Sequence, residues 1–335
     1  MSNTRSTRII DTVIDKYFRK YFEMDGVTEV CYNGKNILHV LDNTGWNEYE
    51  TELKYDSALG LSQSIAAYTS SEFDEGRPLL GGYLPSEERV QFVMPPATAP
   101  GIISLSIRVP SKTHIPYSKF VDQGIFDGLT DSANAISMND KNLNDLYLNK
   151  NYEAFIKMAV EMKKTIVISG ATGSGKTTFM KSLIDFIPKD ERLISIEDVD
   201  EIKFHNHKNA VKLYYPQEAK SNDFLNSATL LKSCLRMKPD RILLAELRGG
   251  ETFDFINVIS SGHAGSITSC HAGNVEETFT RLALMVLRNP EGQKIPYEII
   301  EQMLKELIDV VVHMKFDHGT GKRYITDVYY KGTVL

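Results

Sequence analysis

The chain has 335 residues, room for about two domains. Hydrophobic residues make up 42% and charged residues 24%, which excludes a disordered chain. Lys+Arg 38 against Asp+Glu 44 leave a net charge of −6, which argues against binding nucleic acid by bulk charge and leaves only a local basic patch open. Cys31, Cys234 and Cys270 are too few and too scattered for a disulfide framework or a zinc site, and fit a reducing cytosol. Two stretches without formal charge, 90–107 and 255–275, are broken by Pro95, Pro96 and Pro100 and by Gly262, Gly265 and Gly273. Neither is the continuous apolar helix that a bilayer requires. Asp11 and Asp15 interrupt the N-terminal apolar residues, so no signal peptide is expected there.

In chain order, residues 4–23 predict an amphipathic helix. Ile9, Ile10, Val13, Ile14, Tyr17, Phe18, Tyr21 and Phe22 form one stripe, with Arg5, Arg8, Lys16, Arg19 and Lys20 mainly on the other face. Its basic face suits anionic lipid, but the stripe is expected to pack on its own domain. Segments 27–33, 37–42 and 46–52 alternate apolar and polar residues around the turns Asn33-Gly34 and Asn43-Thr44-Gly45, as an antiparallel meander does. A helix over 56–73 and strands at 78–84, 88–94 and 102–109 complete an α+β domain, residues 1–115. The polar run 131–142 reads as a linker within the region 116–150. From 151 to 335 strands alternate with helices, the pattern of βαβ units on a parallel sheet. Buried strands are expected at 165–169, 193–197, 241–246 and 266–270. Helices are expected from the glycine-rich turn to about 187 and over 224–237, 250–261, 275–288 and 296–308.

Gly170, Ala171, Thr172, Gly173, Ser174, Gly175, Lys176 and Thr177, followed by Thr178, match G-x-x-x-x-G-K-[ST] in full, between a strand and a helix. Glycines let the backbone curl until successive N–H groups face phosphate oxygens. The helix aims its positive dipole end at the same anion. Lys176 supplies charge to the β- and γ-phosphates, and the Thr177 hydroxyl is a ligand for Mg²⁺. ATP and Mg²⁺ are therefore the expected ligands.

The task of such a loop depends on the acids that accompany it. Ligands of an open α/β sheet collect at the C-terminal ends of its strands. In RILLAELRGGE the usual Asp–Glu pair of such a strand is reduced to Ala245-Glu246, leaving Glu246 as the base that polarises water. Glu197, at the end of 193–197, is the candidate that supports metal and water, with Asp198 and Asp200 competing for that role. His263 and His271 bracket the strand 266–270. His271, at its C-terminal end, is better placed to bond a γ-phosphate and report its loss.

GATGSGKTT, ISIEDVDE, SCLRMKPDRILLAELRGGE and SGHAGSITSCHAG occur in this order. With them, and with TEVCYNG, ERVQ and ISLSIRVPS of the first domain, the chain resembles the hexameric traffic ATPases of type IV secretion systems. These belong to the wider secretion ATPase superfamily, which has a RecA-like core. The resemblance implies a homohexamer of two stacked rings, with ATP held between the two domains. It implies that Arg89 and Arg108, by motif position, reach the nucleotide phosphates, as two guanidinium groups suit a triphosphate. Arg236, Arg241 and Arg248 are further arginines for a nucleotide or a neighbouring subunit; Arg248 ranks first, with no role assigned to it. The implied place is cytoplasmic, peripheral to the inner membrane, beside secretion-channel components, with no direct nucleic-acid binding.

Rival readings remain. A type II secretion or pilus-assembly ATPase usually carries a four-cysteine zinc module, absent here. Pilus retraction motors are separated only by the first-domain resemblance. A nucleic-acid translocase lacks support from a basic, aromatic strand-binding tract. A P-loop scaffold that binds ATP without turnover is the third. Residues 205–207 (His-Asn-His) read as a solvated loop rather than a metal cluster, and 319–322 as the turn between two C-terminal strands.

Overall fold

The computed structural model describes residues 2–111, 115–128, 137–220 and 222–333. The N-terminal stripe forms two helices, α1 (Ser2–Tyr17) and α2 (Arg19–Phe22), where one continuous helix was expected. The break falls at Phe18, whose φ of −124° leaves the helical region. Ile10, Ile14, Phe18, Tyr21 and Phe22 are buried in the core of their own domain, so most of the stripe packs there, while Ile9 stays exposed.

The meander follows as β1 (Glu29–Tyr32), β2 (Ile37–Asp42) and β3 (Gly45–Glu50). After α3 (Tyr55–Tyr68) come β4 (Leu79–Tyr83), β5 (Arg89–Val93) and β6 (Ser104–Arg108). They make one antiparallel sheet in the order β3-β2-β1-β6-β5-β4. Side chains alternate across such a sheet. Val30, Val90 and Ile107 enter the core against Ala58, Leu61 and Ile65 of α3. Glu29, Arg108 and Arg89, which pair across β1, β6 and β5, share the other face.

The region 116–150 holds more than a linker. α4 (Tyr117–Asp122) buries nothing, but α5 (Met138–Leu148) is a packed helix. Ser137 caps it, its Oγ accepting from Asp140 N at 3.0 Å. Leu143 is fully buried, Tyr147 donates to the Val328 carbonyl at 2.8 Å, and Lys164 pairs with Asp140 at 2.8 Å. Of the polar run 131–142, residues 131–136 lie outside the described residues.

The second sheet begins after α6 (Tyr152–Glu161), a helix absent from the sequence reading. Its elements are β7 (Ile166–Gly170), α7 (Lys176–Leu183), β8 (Leu193–Glu197), β9 (Ala210–Tyr214), α8 (Ser227–Cys234) and β10 (Arg241–Leu247). They continue with α9 (Glu251–Ser260), β11 (Ile267–Cys270), α10 (Val275–Val286), α11 (Tyr297–Leu307), β12 (Val310–Asp317) and β13 (Lys322–Tyr330). The strand order is β13-β12-β7-β11-β10-β8-β9, parallel throughout except for β13. β9 is a strand that the sequence pattern does not predict, and its Val211 and Leu213 are buried. His207, expected in a solvated loop, is buried with Nε2 3.1 Å from the Ile187 carbonyl. No group that could hold a metal forms among the described residues. Nor is any described helix long and apolar enough to cross a membrane.

This topology gives the parallel sheet two unlike edges. Its C-terminal edge carries the phosphate loop after β7, the turn after β8, Arg248 after β10 and His271 after β11. Its N-terminal edge faces the first body. Trp46 Nε1 donates to Asp240 Oδ2 at 3.0 Å, and the fully buried Arg192 donates Nη1 to Asn33 Oδ1 at 3.1 Å and Nε to the Met237 carbonyl at 2.9 Å. The first body also runs along β9, where Tyr214 N donates to the Ala97 carbonyl at 2.9 Å.

Candidate active site

The phosphate loop is built on backbone only glycine tolerates. Gly170, Gly173 and Gly175 have φ of 152°, 80° and 92°. A side chain at 170 would place its Cβ 2.3 Å from the Met314 carbonyl oxygen. Lys176 opens α7, and its buried ammonium donates to the carbonyls of Gly170 at 2.9 Å and Ala171 at 3.0 Å. Burial pulls its pKa below the ordinary lysine value, and Glu246 and Cys270 oppose that pull. Ser174 Oγ is buried without a partner. The hydroxyl of Thr177 takes no protein partner among the described residues, which leaves it available to a ligand.

Glu246 reaches this loop through a break in strand pairing. β10 and β11 shift register between Leu244 and Leu247, and Ser269 Oγ holds the Ala245 carbonyl at 2.7 Å. Such a bulge re-aims the side chain it carries. Glu246 Oε1 lies 2.8 Å from His271 Nε2, and His271 Nδ1 lies 3.3 Å from Lys176 Nζ. An ammonium only donates, so Nδ1 is the accepting nitrogen and the ring proton sits on Nε2. Arg248 grips Glu246 Oε2 from the other side at 2.8 Å and Asp198 Oδ2 at 2.7 Å. Burial opposes the Arg248 charge, but the two carboxylates outweigh it and hold its pKa above the usual value. Glu251 accepts from the Arg248 and Gly249 amides at 2.6 and 2.8 Å and fixes the turn.

Glu197 is placed differently from the expectation. It is completely buried, with Oε1 accepting from Ser195 Oγ at 2.7 Å and Oε2 from the Glu201 and Ile202 amides at 2.9 and 2.7 Å. Burial raises its pKa against these bonds. Its hydrogen bonds go to its own strand and the turn that follows. Its neighbour Asp198 is the residue that joins the Glu246 cluster.

Arg89 and Arg108 are not brought to the phosphate loop of their own chain. They line a cavity of about 860 Å³ whose other wall is Leu235, Arg236, Lys238 and His263, and which includes none of residues 170–178. These wall residues precede β10 and β11, so the cavity lies at the N-terminal edge, roughly a strand length of 17 Å from the loop. Gly81 lets Arg236 in: a Cβ there would sit within 2.4 Å of Arg236 Nη1. His263 belongs to this cavity, where burial lowers its pKa, and not to the Glu246 cluster. Arg241 is a structural residue, fully buried with Nε 2.5 Å from Glu191 Oε2.

Glu29 also faces this cavity, 4% exposed and with Oε2 unpartnered. Burial lifts its carboxyl to about 7 against the pull of Arg108, Lys238 and Arg192. In the unfolded chain it titrates near 4.5, so stability falls as the pH rises from 4.5 to about 7, where only the unfolded chain has released the proton. Glu29→Gln keeps the neutral form. Urea titrations are expected to find it more stable than the native chain by about 2 kcal/mol at pH 8 and nearly equal at pH 4.5.

Residues 129–316 match the family described as type II/IV secretion system protein. The VirB11 protein of the Brucella abortus type IV secretion system is 46% identical over 317 residues, covering 93% of this chain and 87% of its own length. The chain belongs to the type IV secretion ATPases. The type IV secretion protein PtlH of Bordetella pertussis is 38% identical over 91% of this chain and 90% of its own length. The crystal structure of the Brucella suis VirB11 ATPase, in complex with sulphate, superposes with a TM-score of 0.92 at 41% identity, covering 99% of this chain and 97% of that one. The expected RecA-like core beside an α+β N-terminal body is thereby established. The chain is a motor ATPase of a type IV secretion system, and the type II, pilus, translocase and scaffold readings give way.

Proposed function

We propose that this secretion ATPase works as a Mg²⁺-dependent homohexamer at the cytoplasmic face of the inner membrane, held there by channel components. The observation that carries the chemistry is one line of contacts, Lys176–His271–Glu246–Arg248–Asp198, running from the phosphate-binding ammonium to the base. The loop amides and residues 170–178 hold the triphosphate. Lys176 exchanges its loop carbonyls for β- and γ-phosphate oxygens. Thr177 is the residue that would hold Mg²⁺, which neutralises charge between those phosphates. Ser174 Oγ, buried and without a hydrogen-bond partner among the described residues, fits a site completed by phosphate.

Glu246 accepts a hydrogen bond from the attacking water and draws off its proton as the bond to the γ-phosphorus forms and ADP leaves. Arg248 keeps the carboxylate aimed. His271, between Lys176 and Glu246, registers departure of the γ-phosphate. Glu197 fixes the turn that presents Asp198. We further propose that Arg89 and Arg108 act on the nucleotide of a neighbouring copy, since the cavity they line holds none of their own chain's loop. Residues 1–115 and 151–335 would then be the bodies that move as phosphate is lost.

Negative-stain imaging with and without a non-hydrolysable ATP analogue tests the assembly. Six-fold rings in the presence of analogue are expected. A monomer under both conditions would refute the hexamer.

A further inference from the structure

The β12–β13 hairpin flanks the phosphate loop on the side away from His271 and Glu246, because β12 pairs with β7 opposite β11. Arg323 on that hairpin leans over the loop. Its Nε donates to the Gly173 carbonyl at 3.3 Å, and a Cβ on Gly175 would meet its Cδ at 2.6 Å. The guanidinium lies over the ring of Phe316, its register partner, 4.9 Å from the centroid. Stacking of this kind fixes the plane of an arginine while leaving its edge donors free. Among the described residues no carboxylate pairs with Arg323. Asp317, at the end of the same hairpin, is occupied by Gly319 N and Thr320 Oγ1, at 2.8 and 2.7 Å. Among the described residues the two terminal amino groups of Arg323 thus find no protein acceptor, beside a loop read as holding phosphate.

We propose that Arg323 binds the phosphate chain of the nucleotide from the hairpin side, as a further ligand-binding residue of this site. The inference rests on the reading of residues 170–178 as the ATP site. A rim cation gives charge-assisted bonds to the α- and β-phosphates common to ATP and ADP, which places its effect in binding and leaves the base, Glu246, untouched.

The test titrates fluorescent ATP and ADP analogues into the full-length native protein and its Arg323→Ala, Arg323→Lys and Arg323→Gln variants, with Lys176→Ala as reference. Both analogues are expected to bind about tenfold more weakly to the Ala and Gln variants and within about threefold of native to the Lys variant. KM for ATP should rise by a similar factor, with kcat changed less than about twofold. Gln still donates to the Gly173 carbonyl but carries no charge, so rescue by Gln equal to that by Lys would overturn the proposal in favour of a mere latch on the loop. Native affinity in Arg323→Ala would overturn it outright while leaving the ATP-site reading intact, provided Lys176→Ala has lost binding. Failure of the native chain to bind either analogue would overturn both.

Discussion

Replacing Lys176 by alanine is expected to lower ATP turnover by about three orders of magnitude, the scale of losing a positioned cation from a phosphoryl-transfer site. The residue does two jobs. On the proposed reading its ammonium supplies charge where the transition state spreads negative charge over phosphate oxygens. It also satisfies the Gly170 and Ala171 carbonyls and touches His271, so its loss unties the loop from the Glu246 cluster. Affinity for ATP should fall together with kcat. Single-turnover phosphate release, beside a fluorescence titration of nucleotide, separates the two effects. Turnover within tenfold of native would remove Lys176 from the chemistry.

Glu246→Gln is expected to slow hydrolysis by about 10²–10³-fold while leaving ATP affinity within a few-fold of native. The amide keeps the shape of the side chain and still accepts a bond from Arg248, which retains Asp198 as its other anchor. On the proposed reading, what is lost is the ability to take a proton from water. A kcat defect without a KM defect is therefore the signature to look for in steady-state rates. A rise in KM as large as the fall in kcat would mean that Glu246 serves chiefly to hold Arg248.

The phosphate loop was legible because its backbone excludes most residue types: glycines at 170, 173 and 175 stand where φ is positive. Glu246 was legible as a strand-end acid, but the bulge that aims it was not, since Ala245-Glu246 carries no residue typical of a register shift. Glu197 was read as a metal residue from the same strand-end logic. Position on a strand does not say whether a carboxylate points into the site or folds back on its own turn, and here Ser195, Glu201 and Ile202 bond both oxygens. Arg323 lies about 150 residues from the loop it touches, so nothing in the sequence joined them. Arg89 and Arg108 were identified by resemblance, and their edge of the sheet follows only from how the two bodies dock. β9 escaped because five residues with two buried apolar positions give too short an alternation.

The most direct measurement mixes two crippled chains. One carries Lys176→Ala, and the other carries Arg89→Ala with Arg108→Ala. Each alone should be nearly inactive. Co-expressed in equal amounts, they bring the intact loop of the second chain against the intact arginines of the first, so about a quarter of sites should be whole and phosphate release should recover accordingly. Release no higher than that of either parent would contradict a site shared between neighbouring copies.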